Sequence, residues 1–288
     1  MEGKLVEPSS PAAARPVGPL DDLIRSLSSA FLFGVSVIFT EEIWAIGASA
    51  ALGRLVVFLV LALLANWFLG YYAGFSDKQG KPAIALETIK AFSVGLVCTV
   101  VTLAVLNRIK LVDPMMETVG KVTMAVIPFS IGAFLADVLF PLVEAREEVN
   151  EEVIQKPWRA TLADMGATMA GGIFLGLPIA PTHEVSLLAS EMTFWHELGL
   201  IGLSLVVSYL IVFESCPKEV PSAQVLPFLQ RPWVETVFSY AISLVLAVLL
   251  LVGFNQLDPA TPLVFQASQI VTLAFPIAVG GAAGRLAL

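Results

Sequence analysis

The chain has 288 residues, 57% of them hydrophobic and 14% charged, with a mean hydropathy of +0.84 and a formal net charge of −8. Soluble domains run at about 45–50% apolar and about 25% charged, so a soluble enzyme, a disordered chain and a secreted disulfide scaffold are excluded. A pI near 4.8 argues against a nucleic-acid binder, which would carry a basic patch or stripe.

What remains is a multi-span membrane protein. Residues 1–22, rich in Pro, Ala and Ser, read as a flexible cytoplasmic leader, and no cleaved signal peptide is visible there. Apolar runs follow near 27–49, 54–74, 87–107, 119–142, 161–190, 198–215, 233–254 and 263–284. Each is long enough for a helix through the hydrocarbon, and none shows the alternation of barrel strands. The predicted fold is all-α with eight transmembrane helices. Residues 23–142 and 161–288 form two four-helix halves, joined by an acidic cytoplasmic linker over 143–160. Glu144, Glu148 and Glu152 share one face of that linker at i, i+4 spacing.

Of the 16 Lys and Arg residues, only Arg54, Arg108, Lys110 and Lys121 fall on the side opposite the N-terminus. This bias predicts cytoplasmic termini. Trp44, Trp158, Trp195 and Trp233 lie near span ends and read as interface anchors. Cys98 and Cys216 lack metal-ligand spacing and read as packing residues.

The halves resemble each other. Asp22, Gly34, Thr40, Glu42 and Asn66 match Asp164, Gly176, Thr182, Glu184 and Ser208 at an offset of 142. Glu87-Thr88, Asn107, Pro128 and Gly132 match Glu235-Thr236, Asn255, Pro276 and Gly280 at an offset of 148. Four spans is an even number, so both halves enter the bilayer in the same sense. They are expected to be related by a pseudo-twofold axis along the membrane normal, as in parallel-repeat transporters.

The first and fifth spans carry carboxylates, in the segments Thr40-Glu41-Glu42 and Thr182-His183-Glu184. Ionisable groups in a span face a cavity or a partner and mark ion or proton paths. Adjacent helical residues point about 100° apart, so Glu41 and Glu42 cannot share one target. The matched Glu42 and Glu184 are the expected axial pair, with Glu41 and His183 flanking them. Pro178 and Pro181 predict a break in the fifth span. Carbonyls freed there, with Thr40, Thr182 and the glutamates, suit a hard cation. Two glutamates held close repel, so one is expected to hold a proton near neutral pH. The bland reading is that these residues meet headgroups and water where their helices end.

Other polar residues in the runs, among them Asn66, Asn107, Asn255, Gln266 and Gln269, read as hydrogen-bonding glue between helices. Gly34 and Gly176, with Pro178, Pro181 and Asn66, are candidate gating or packing positions. Asp137 is expected to meet Arg146 at the surface. The run Gly280-Gly281-Ala282-Ala283-Gly284-Arg285 predicts close helix packing or a dimer seam. Enzyme chemistry has little to draw on, because His183 and His196 are the only histidines.

At these residues the chain resembles a bacterial family of integral membrane proteins with no assigned function. The segments that carry the likeness are Ala30-Phe31-Leu32-Phe33-Gly34 with Thr40-Glu41-Glu42, then Ile179-Ala180-Pro181-Thr182-His183-Glu184, then Gly280 to Arg285. The likeness covers about residues 23–288. It implies the eight-span, two-repeat layout and no particular activity. The position of His183 is usually acidic in that pattern, so the histidine is a departure.

The leading expectation is passage of a small cation through a channel or a proton-coupled exchanger. The bound species would be H+, Na+, K+ or Ca2+, and no other cofactor is implied. The lipid bilayer is the expected partner, with room for a homo-oligomer and no nucleic acid. The runner-up is a non-transporting subunit of a larger complex that contacts lipid or pigment. A membrane enzyme using His183 and Glu184 stands third.

Overall fold

The computed structural model describes residues 18–72, 76–139, 157–215 and 231–287, and these residues are all-helical in architecture. Helix α1 (Pro19–Ile38) opens with proline at its first position, where a missing N–H costs nothing. Asp21 Oδ2 accepts the Gly18 N–H at 3.0 Å and closes this end. The helix therefore begins inside the stretch read as a leader.

The first apolar run is not one straight span. Thr40 is extended, and α2 (Glu41–Ser49) leaves α1 at 81°. Glu41 and Glu42 fall in the first turn of α2, where acidic groups are favoured by the helix dipole. Helices α3 (Leu52–Tyr72), α4 (Ser76–Val105), α5 (Met115–Phe134) and the one-turn α6 (Ala136–Leu139) follow. The fifth run breaks as its prolines predicted, into α7 (Pro157–Ile179) and α8 (Glu184–Glu191). Helix α9 (Phe194–Tyr209) passes into a π-helical turn, Leu210–Glu214, and α10 (Pro232–Gly253) and α11 (Leu263–Ala287) complete the chain.

Among the described residues, six helices are long and apolar enough to cross a membrane, or seven with the bent α1–α2 pair taken as one span. The expected count was eight, and α5 makes the difference. It carries Glu117 and Lys121 in its first turns and packs against α1, α2, α3 and α4. Its surface faces protein, so lipid does not require an apolar coat there. Helix α3 shows the opposite case, exposing Val56, Val57, Val60, Leu61, Leu64 and Phe68.

Helices α5 and α11 are the two central posts. Around α11 stand α7, α8, α9 and α10. Close approach depends on glycine. A Cβ on Gly34 would overlap the Phe129 ring, and one on Gly176 would overlap Ile277. Gly171 and Gly280 bring the α7 and α11 backbones into contact, so this small-residue seam lies within one chain. Phe39 meets Phe275 at 6.5 Å between ring centroids, and the Ser215 hydroxyl donates to Ser28 Oγ at 2.6 Å. Both contacts join the first half to the second.

Helices α4 and α10 end alike. Asn107 and Asn255 both have φ 55, the left-handed conformation that Asn tolerates better than most residues. The next N–H turns back in each case, Arg108 to Leu103 O and Gln256 to Leu251 O, both at 2.8 Å.

Trp44 corrects an expectation. It is buried rather than an interface anchor, with the Arg108 guanidinium 3.7 Å from its ring centroid. Trp195 and Trp233 are exposed. The Trp158 side chain, the acidic linker with Glu144, Arg146, Glu148 and Glu152, the Asp137 side chain and Cys216 lie outside the described residues. Cys98 is buried in the core.

Candidate functional site

The breaks after α1 and α7 lie at one end of the bundle, here the distal end, opposite the end where α1 begins. Each break is followed by a threonine and a short helix that starts on an acidic residue or beside one. His183 Nε2 lies 2.8 Å from Glu41 Oε2, and these two residues are 142 positions apart. His183 Nδ1 is 3.8 Å from Glu184 Oε2. The sequence placed Glu42 and Glu184 at the centre with Glu41 and His183 beside them. In the structure the contact joins Glu41 and His183, while Glu42 is exposed. The reason is the bend: α2 starts a new helix at Glu41, so a residue count along a single span misplaces both glutamates.

Glu184 lies between spans α7 and α9 with its side chain largely buried, and Oε2 has no hydrogen-bond partner among the described residues. Burial opposes its ionisation. The backbone N–H groups of Glu184 and Glu41, together with His183, outweigh burial and hold the carboxyl below its usual range. The expected proton near neutral pH is therefore not on Glu184. Thr182 Oγ1 donates to Ile179 O at 2.7 Å, turning back onto the freed end of α7. Pro181 O accepts from Gln256 Nε2 at 2.9 Å. Thr40 leads into α2 without a side-chain cap. An exposed ion pair such as Glu41–His183 is worth about 0–1 kcal/mol. Its interest is where it sits, not what it stabilises.

A charged cluster that sequence reasoning missed lies beside this point. Lys121, counted among the cations on the side opposite the N-terminus, is buried. Its ammonium is 2.6 Å from Glu117 and 3.5 Å from Asp113, and donates to Arg108 O at 2.8 Å. Arg108 pairs with Glu191 at 3.0 Å, and Asn107 Nδ2 donates to Glu191 O at 2.5 Å. In the second half Gln269 Nε2 reaches Ser186 Oγ at 2.8 Å and Gln256 O at 3.4 Å. The only advance signal was a Lys and an Arg bracketing a short turn.

The opposite, proximal end holds two more clusters. Lys90 pairs with Asp22 and with Glu87. Arg285, 6% exposed, pairs with Glu235 and donates to Ser239 Oγ at 3.2 Å. Asp22 with Asp164 and Glu87 with Glu235 were visible in the sequence as matched acids, but nothing there announced their cations.

Asn66 is fully buried in α3, and neither amide atom has a partner among the described residues. A buried orphaned polar group costs about 1–3 kcal/mol. Asn66→Leu keeps the branched shape and should raise the melting temperature in detergent, and a fall would show that the amide is satisfied after all.

A bundle of six or seven apolar helices with its ionic clusters gathered at two ends is an integral membrane protein with several spans. Residues 22–288 match the family described as "Putative integral membrane protein (DUF2391)", and the chain belongs to that family. No curated protein and no solved structure matches the chain.

Proposed function

We propose that the protein passes a small cation across a bacterial inner membrane, as a parallel duplication of four spans with both termini cytoplasmic. In this reading all eight long helices cross the bilayer. The two halves are related by an axis along the membrane normal, and the distal end is the outer mouth. Glu41, His183 and Glu184, with Thr40 and Thr182, hold the cation where it enters.

One observation carries the reading. Glu41 and His183 occupy matching positions at offset 142 and touch each other. A residue in contact with its own counterpart lies on the axis that relates the halves. A titratable pair on that axis, with a buried carboxylate beside it, is the arrangement an ion path needs. The duplication has further support at the offsets 142 and 148. Gly34 against Phe129 corresponds to Gly176 against Ile277. The Lys121 bond to Arg108 O corresponds to the Gln269 bond to Gln256 O. Gly120 pressed on Gly47 corresponds to Ser268 donating to Ala189 O.

The test is flux. Purified protein in liposomes should move Na+, K+ or H+ down a gradient. The double variant Glu41→Gln, His183→Asn should lose most of that flux while keeping its elution profile and melting temperature. Wild-type protein that moves none of these ions, or a variant that moves them at the parent rate, counts against the reading.

A further inference from the structure

The proximal end meets one electrostatic demand in two different ways. Asp22 of α1 and Glu87 of α4 share the Lys90 ammonium. Their counterparts at offsets 142 and 148 are Asp164 of α7 and Glu235 of α10, and there Glu235 pairs with Arg285 of α11. The positions matching Lys90 and Arg285 hold Phe238 and Asp137. The acid pair recurs, whereas the cation comes from a different helix each time.

Two small cavities lie at the second cluster. A cavity of about 20 Å³ is lined by Thr161, Asp164, Thr168, Glu235 and Ser239, among others. That is room for about one water. A smaller cavity of about 10 Å³ lies against Ser208, Thr236, Ser239 and Arg285. Ser239 lines both, and the Arg285 guanidinium is bonded to it. Arg285 Nε is buried and has no hydrogen-bond partner among the described residues. The guanidinium stands 5.6 Å from the centroid of Phe213. Phe213 belongs to the π-helical turn, a feature often found at functional sites.

We propose that Arg285 is a tethered plug. Its guanidinium sits against Glu235 and Ser239, in a place that a passing cation takes over when Arg285 swings aside. The two cavities then merge past Ser239, and this end of the bundle is the gate. The orphaned Nε–H leaves the closed pair incompletely satisfied, which lowers the cost of opening. Carboxylates left behind without Arg285 require another cation, and hydroxyl and carboxylate oxygens suit a small hard one. The plug rests on the cation-transport reading above, but its test does not need flux.

In a background with Cys98 and Cys216 replaced by Ala, Thr168→Cys places a thiol in the larger cavity. A positively charged, membrane-impermeant methanethiosulfonate is applied to vesicles of both orientations. With Arg285 present the thiol should react slowly from either side. Arg285→Ala should speed labelling from the proximal side at least about tenfold, a change equal to about 1.4 kcal/mol in the closing equilibrium. Replacing N-methylglucamine by Na+ or K+ should slow it again as the cation fills the vacated place. Glu235→Gln should also speed labelling, which keeps the test open if Arg285→Ala fails to fold, and Arg285→Lys should not. Unchanged rates in both Arg285→Ala and Glu235→Gln, or fast labelling in the parent, overturn the plug. If labelling responds as expected while no variant moves a cation in liposomes, the transport reading falls and the closure stands. If the parent conducts and the labelling rates never change, the plug falls alone.

Discussion

Glu184→Gln should cut cation flux by at least about tenfold, equal to about 1.4 kcal/mol, while Glu42→Gln should leave it within about twofold, under 0.5 kcal/mol on the same scale. The two residues are matched in sequence, so sequence alone expects equal losses. The bend between α1 and α2 leaves Glu42 exposed, while Glu184 is largely buried beside His183. Equal losses would mean that the bend is absent in the bilayer. Acid provides a second reading. The Glu184 carboxyl is held below its usual range. The stability it contributes is therefore full above the ordinary carboxylate value and fades as pH falls through the lowered one. Melting temperatures of the parent and of Glu184→Gln should converge only in that acidic window, and convergence near neutral pH would contradict the assigned direction.

Lys121→Met should be the most destabilising single change at the distal end. The Lys121 side chain is 9% exposed, and its removal leaves Asp113 and Glu117 facing each other without a cation. Breaking a buried pair costs about 3–5 kcal/mol. Glu117 is 34% exposed, so water screens part of the loss and about 2–4 kcal/mol is expected. The matched change Gln269→Met removes two neutral hydrogen bonds, at about 1 kcal/mol each. Chemical denaturation in mild detergent compares them. Adding Glu117→Gln to Lys121→Met should recover part of the loss, as a coupled pair requires. Loss of equal size at both positions would mean that Lys121 acts through packing alone.

Hydropathy made the membrane class legible, and glycine and proline marked where helices touch or break, whereas Asn107 and Asn255 read as glue between helices and not as helix ends. Gly34, Gly176 and Gly280 stand where backbones or rings press close, and Asn107 and Asn255 end their helices in the left-handed conformation. The break after α7 was readable because Pro178 and Pro181 remove N–H donors. The bend after α1 was not, because Phe39-Thr40 contains no residue that forbids a helix. The extended conformation of Thr40 is set by the packing of α2 against α5. Hydropathy does not tell a helix wrapped in protein, as α5 is, from one that exposes its apolar face, as α3 does. The segments Thr40–Glu42 and Thr182–Glu184 stood out in the sequence, but which of their residues meet did not. Which of two adjacent glutamates turns inward depends on where a helix begins, and one residue of error there rotates the side chain by about 100°.

Under the duplication proposed above, the pairing of Glu41 with His183 has a consequence for ancestry. In a twofold-symmetric assembly of separate half-length chains, any side chain on the axis confronts its own copy. Acid would oppose acid, or imidazole would oppose imidazole. Joining the copies into one polypeptide lifts that restriction, because each position can then mutate alone. An acid–base couple at the centre is available to a fused chain and denied to a homodimer of its ancestor.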